Sequence, residues 1–109
     1  HTLNAHVGIG IEFSPWTGLD YIANKKPDGS IWLLVMNHND MDYRRDAVMR
    51  RCGELSSVRA IVQGDWKKWR EGGPVVYSKT GDVLQWSFEI SPKSFVLFAL
   101  EKVTTNARL

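Results

Sequence analysis

Apolar and polar positions along this chain alternate mostly with a period of two, the spacing that sends successive side chains to opposite faces of a strand. In the first run Val7, Ile9, Ile11 and Phe13 fall on one face, with Gly8, Gly10 and Glu12 on the other, and Ser14-Pro15 ends it. Residues 19–25 and 30–37 flank Lys26-Pro27-Asp28-Gly29, where proline fixes its φ angle and glycine accepts a positive one, so the pattern predicts a hairpin. The second arm, Ile31-Trp32-Leu33-Leu34-Val35-Met36, is apolar on both sides and reads as a central strand covered twice. Arg44-Arg45-Asp46 and Arg50-Arg51 interrupt the pattern over residues 43–52, and a helical turn from Asp46 to Arg51 competes with a strand there. Val58, Ala60 and Val62 alternate with Arg59, Ile61 and Gln63, which predicts a strand ending at Gly64-Asp65. Trp66-Lys67-Lys68-Trp69 then leads through Gly72-Gly73-Pro74 to a short strand at 75–78 and the turn Lys79-Thr80-Gly81-Asp82. Leu84, Trp86, Phe88 and Ile90 share one face of the next strand. Ser91-Pro92-Lys93 is expected to close a last hairpin with Phe95 to Leu100, again apolar on both faces. Trp32 and Trp86 are expected in the core, and Trp16 at one end of the fold.

Short strands with turns at this spacing predict an all-β domain, an antiparallel β-sandwich of about seven or eight strands, with a small β-barrel as the alternative. The 109 residues, 43% of them apolar, suit one domain over 1–109, with loose ends near 1–5 and 104–109. Fourteen Lys and Arg against twelve Asp and Glu leave a net charge of +2, and the charges are scattered. That distribution makes no case for a nucleic acid or membrane partner. Cys52 is the single cysteine, which excludes an internal disulfide and a cysteine-based metal site. No run approaches the roughly 18 apolar residues of a spanning helix, and no charged-then-apolar leader is visible.

The candidate chemistry is sparse. Asn37-His38-Asn39-Asp40 ends the two-sided strand, and Asn and Asp are favoured where strands turn because their side chains satisfy nearby backbone groups. The tetrad is therefore expected to mark the strand's exit into solvent. A small hydrolase centred on His38 is the reactive alternative, but only His1 and His6 remain as further histidines. The oxygens of Asn37, Asn39, Asp40 and Asp42 lack the glycine and distal glutamate of an EF-hand loop, and no metal or other cofactor is expected. Trp66 and Trp69, with Lys67, Lys68 and Arg70 beside them, have the composition of a carbohydrate-binding platform, where indole packs on the C–H face of a sugar ring. The favoured reading of the pair is more ordinary: one tryptophan closes the sandwich and the other meets a neighbouring domain. Gly8-Ile9-Gly10 lacks the context of a nucleotide fingerprint, no nucleophile elbow is visible, and Cys52 is expected as a small packed thiol.

The succession "DGSIWLLVMNHND", "VQGDWKKW", "GGPVVY" and "VLQWSFEISPKSFVLFALEK" resembles the C-terminal β-sandwich accessory domain of glycoside hydrolases. The similarity spans roughly residues 19–102 and rests on Asp28-Gly29, Leu33 to Asn37 with His38, and Ser91-Pro92 through Leu100. The stretch 44–51 and the basic, aromatic Trp66-Lys67-Lys68-Trp69 depart from it. The resemblance implies a noncatalytic module that packs against and stabilises a catalytic domain of the same parent chain, in a secreted or periplasmic enzyme. Catalytic carboxylates would belong to that catalytic domain, so none are assigned here. The two-sided strands 31–36 and 95–100 fit this role, since a sheet that faces a partner needs a second apolar surface; isolated, such a module is expected to self-associate.

Overall fold

The computed structural model describes residues 10–14 and 18–102. They form nine strands: β1 (Ile11–Ser14), β2 (Leu19–Lys25), β3 (Ile31–Asn37), β4 (Tyr43–Arg50), β5 (Ser57–Asp65), β6 (Trp69–Glu71), β7 (Tyr77–Thr80), β8 (Val83–Ile90) and β9 (Ser94–Glu101). Two antiparallel sheets, β1-β4-β8-β7 and β2-β3-β9-β5-β6, stack as a β-sandwich and do not close into a barrel. The expected class holds, with one more strand than the sequence pattern suggested, the three-residue β6.

The core lies where the inner rows meet. Leu33 and Val35 of β3, Val96, Phe98 and Leu100 of β9, and Val58 of β5 face Ala47 and Met49 of β4 and Leu84, Trp86 and Ile90 of β8. Phe98 sits at the centre, edge-on to Trp86 and Phe88 of the opposite sheet, with ring centroids 5.5 and 5.2 Å apart. Phe13 bridges to Tyr21 of the other sheet along one margin. Burying side chains of this size contributes about 1.5–3 kcal/mol each. Trp86 and Cys52 are buried as expected. Trp16, Val7 and Ile9 lie outside the described residues.

Residues 43–50 are strand, not helix. The arginines that blurred the pattern fit because Arg44 and Arg50 face solvent, while Arg45, on the inner row, lays its guanidinium over the Tyr43 ring at 4.3 Å. The hairpin at Lys26 to Gly29 forms as expected. Gly29, at φ 93°, donates to the Lys26 carbonyl, and the Asp28 carboxylate accepts from the backbone amide and hydroxyl of Ser30. The last hairpin does not form. Its arms β8 and β9 belong to different sheets, so Ser91-Pro92-Lys93 carries the chain across the sandwich. In β5 a bulge between Ala60 and Val62 exchanges the faces, turning Gln63 inward and Val62 outward.

Asn37 explains how the crossing loops hold. Its side chain is 1% exposed. The Nδ2 group donates to the Met41 carbonyl at 2.8 Å and the Ser91 carbonyl at 2.9 Å, and Oδ1 accepts from the Asn39 amide at 2.9 Å. One amide thus ties the β3–β4 crossing to the β8–β9 crossing, and Lys93 adds a backbone bond to the Asn39 carbonyl. Asn37→Ala is expected to cost about 3 kcal/mol in urea unfolding, the scale of stranding buried polar partners. Asn37→Asp should cost at least as much at neutral pH, since a carboxylate cannot donate to two carbonyls, and should recover partly on acidification.

Candidate functional site

The two outer faces of the sandwich differ in kind. On the four-stranded sheet most outward residues are polar and several are paired, Arg44 with Glu89 at 2.9 Å, Arg50 with Glu12 at 3.6 Å, and Ser87 donating to Asp46, with Val48 and Val83 half-buried among them. On the five-stranded sheet the register places Ile22, Leu34, Leu97 and Val62 in one outward row, Met36 beside Phe95 in the next, and Trp32 beside Ala99 on the other side. Ile22 is 40% and Trp32 38% exposed, so Trp32 is not the core residue the pattern suggested. It takes the outward phase of β3, and Lys26 covers its ring with the ammonium 4.3 Å from the centroid. Charge gathers at the margins of this face, with Arg59 paired to Glu101 at 3.0 Å and His38 3.6 Å from Asp20.

The β5–β6 hairpin raises two further indoles beside that face. Trp66, 58% exposed, stacks on Phe95 with centroids 4.5 Å apart and planes 27° from parallel. Trp69 opens β6 opposite Gly64 and is 63% exposed. Neither closes the sandwich, so the expected role for one of them is corrected. The hairpin is this tight because Gly64, at φ 148°, has no Cβ: one built there would lie 2.5 Å from the Lys68 carbonyl oxygen and the Trp69 Cα. Asp65 fixes the intervening turn by accepting from the backbone amides of Lys67 and Lys68 at 2.9 and 2.7 Å. Lys67 is exposed in that turn, and Arg70 is exposed on the inward row of β6 opposite Gln63.

Arg70 and Trp69 line a cleft of about 330 Å³ at one end of the sandwich, together with Gln63, Asp65, Lys68 and Glu89. The sequence pattern flagged Trp66, Lys67, Trp69 and Arg70 but missed Phe95, Gln63 and Glu89, which come from β9, β5 and β8. Phe95 was legible only as one of a two-sided run. The His38 imidazole is well exposed, its ion-pair neighbour among the described residues is Asp20, and it makes no hydrogen bond to a hydroxyl or thiol there. No group of three or more His, Cys, Asp and Glu converges as metal ligands among the described residues.

The Lys68 and Lys67 amides hold the Asp65 carboxyl below its ordinary value. A depressed native pKa gives stability that is present above the unfolded value, about 3.9, and lost as pH falls through the native one. Asp65→Ala should therefore lower the thermal midpoint at pH 7, with the gap from the parent protein closing as pH falls below the unfolded value of about 3.9 and through the lower native one. Asp65→Asn, which keeps the acceptor oxygen, should fall between the two. No family model matches the chain, and neither the curated proteins nor the solved structures yielded a match.

Proposed function

We propose that this chain is a noncatalytic accessory β-sandwich domain of a carbohydrate-active enzyme, packing against and stabilising a glycoside hydrolase catalytic domain of the same polypeptide. The observation that carries the reading is the contrast between the outer faces, one laced with ion pairs and the other apolar across β2, β3, β9 and β5. Among the described residues no strand packs on the apolar side. An apolar centre with a charged margin is the anatomy of a protein interface, and large aromatic rings such as Trp32, Trp66 and Trp69 are its usual anchors. Covering such a face contributes roughly 25 cal/mol for each Å² of apolar surface removed from water. The sequence resemblance supplies the partner's identity: catalysis belongs to that partner, and this chain contributes support.

Ile22→Thr combined with Trp32→Thr tests the face, because threonine keeps the strand preference while removing apolar surface. The isolated chain is expected to self-associate and bind a hydrophobic dye, and the double variant to do neither, with folding free energy changed by less than about 1 kcal/mol. Unaltered association together with a large stability loss would sink the docking role. The partner is tested by the coding region upstream of His1. An in-frame hydrolase domain whose melting temperature rises when this domain is attached, and does not rise with the double variant, is the expected result.

A second reading, carbohydrate binding through Trp66, Lys67, Trp69 and Arg70, is favoured by the exposure of both indoles beside an open cleft. Oligosaccharides are then expected to change the tryptophan fluorescence, and Trp66→Ala or Trp69→Ala to reduce the change.

A further inference from the structure

The end cleft has a charge arrangement that the sandwich itself does not use. Four ionisable side chains line it: Asp65, Lys68, Arg70 and Glu89. Both carboxylates are committed, Asp65 to two backbone amides and Glu89 to Arg44. Both cations are not, since among the described residues neither the Lys68 ammonium nor the Arg70 guanidinium has a hydrogen-bond or ion-pair partner. Of the two carboxylates only Glu89 has a cation at ion-pair distance, and Asp65 keeps its charge, so the unpaired groups of the cleft are two cations against one anion, a net positive balance. The register explains how Arg70 comes to be there. It pairs with Gln63, which pairs in turn with the buried Val96, so Arg70 lies on the inward row of an edge strand, at the open end between the sheets. An inward charge on an edge strand guards against edge pairing, but that role calls for neither an adjoining cleft nor an exposed indole beside it.

The remaining lining suits a sugar. Trp69 offers an exposed indole, and the side chains of Gln63 and Ser91 make no hydrogen bond among the described residues, leaving an amide and a hydroxyl for ring oxygens. A volume of about 330 Å³ falls near the lower end of the range of about 300–1,000 Å³ found for small-molecule sites. We propose that this cleft is a subsite for an acidic sugar chain, with the carboxylate of one uronate unit on Arg70 and Lys68 and the ring of a neighbouring unit on the Trp69 indole, across the edge of β6. The proposal rests on the carbohydrate-binding reading and adds the ligand class to it. A guanidinium binds a carboxylate through two parallel N–H donors, which a lysine cannot reproduce, so Arg70 is the specifying group and Lys68 the general attractor.

The test is calorimetric titration of the chain at low ionic strength with short oligogalacturonates, oligoglucuronates and oligomannuronates, matched neutral xylo- and cello-oligosaccharides, and inorganic sulfate. At least one uronate series is expected to bind, with neutral ligands and sulfate at least about tenfold weaker, and added salt should weaken the uronate. Arg70→Gln should cost about tenfold in affinity, and Trp69→Ala at least about fivefold, with circular dichroism showing both variants folded. Equal binding of neutral and acidic sugars would overturn the acidic subsite while leaving carbohydrate binding intact. Sulfate binding as tightly as the uronates would remove the sugar from the proposal, and no binding by any sugar would overturn both readings.

Discussion

The structure turns on the pairing of β3 with β9 at the centre of the larger sheet. Both strands are apolar on two faces, and they pair in full register from Ile31 with Leu100 to Asn37 with Ser94. A strand of this composition needs cover on both sides to keep water away. The second sheet supplies only one cover, over Leu33, Val35, Val96, Phe98 and Leu100. The other side gains partial shelter from neighbours in its own layer, as the burial of Met36 and Ala99 shows, and from Trp66 over Phe95. Ile22, Trp32 and Trp69 stay open. The apolar outer face thus follows from the same residues that build the core, and the docking reading grows from that surplus.

What holds the layers in relation to each other at one end is a polar device. Chain crossings between sheets leave backbone groups with no ladder partner, and a buried one must find a substitute. Asn37 suits the place because an amide both donates and accepts, and it serves three backbone groups from two loops distant in sequence. The residues around it complete the junction: Asn39 donates to the Gly18 carbonyl at 3.0 Å, and the Lys93 ammonium donates to the His38 carbonyl at 2.6 Å. The polar tetrad that ends β3 therefore does structural work through the side chains of its first and third residues and the His38 carbonyl, while the side chains of His38 and Asp40 stay exposed, near Asp20 and Lys93. This also accounts for a histidine flanked by amides and a carboxylate with no reactive partner at hand.

The tightest local feature, the β5–β6 hairpin, feeds both functional readings. Gly64 lets Trp69 and the Lys68 carbonyl approach, and Asp65 organises the turn. Alternation along β6 then sends Trp69 and Arg70 to different faces of one short strand. A single turn thereby gives an aromatic anchor to the outer face and a cation to the end cleft. The apolar outer face and the end cleft meet at this hairpin.

Much of the layer content was legible in the chain, because burial on one face of a strand imposes a period of two that survives in any context. The Lys26 to Gly29 turn, the inward set Leu84, Trp86 and Ile90, and the two-sided runs at 31–36 and 95–100 all follow from that local rule. The candidate residues Trp66, Lys67, Trp69 and Arg70 stood out by composition, but their surroundings did not. Which sheet a strand joins depends on partners far along the chain. A turn such as Ser91-Pro92-Lys93 has the same residue types whether it folds back within a sheet or crosses to the other, so the apparent last hairpin became a crossing only in three dimensions. The face that Trp32 takes, the inward swing of Gln63 at the bulge, and the meeting of β5, β6, β8 and β9 residues around one cleft were decided in the same way. Period two marks two faces of each strand without naming them inner or outer; only the stacking of one sheet on another does that.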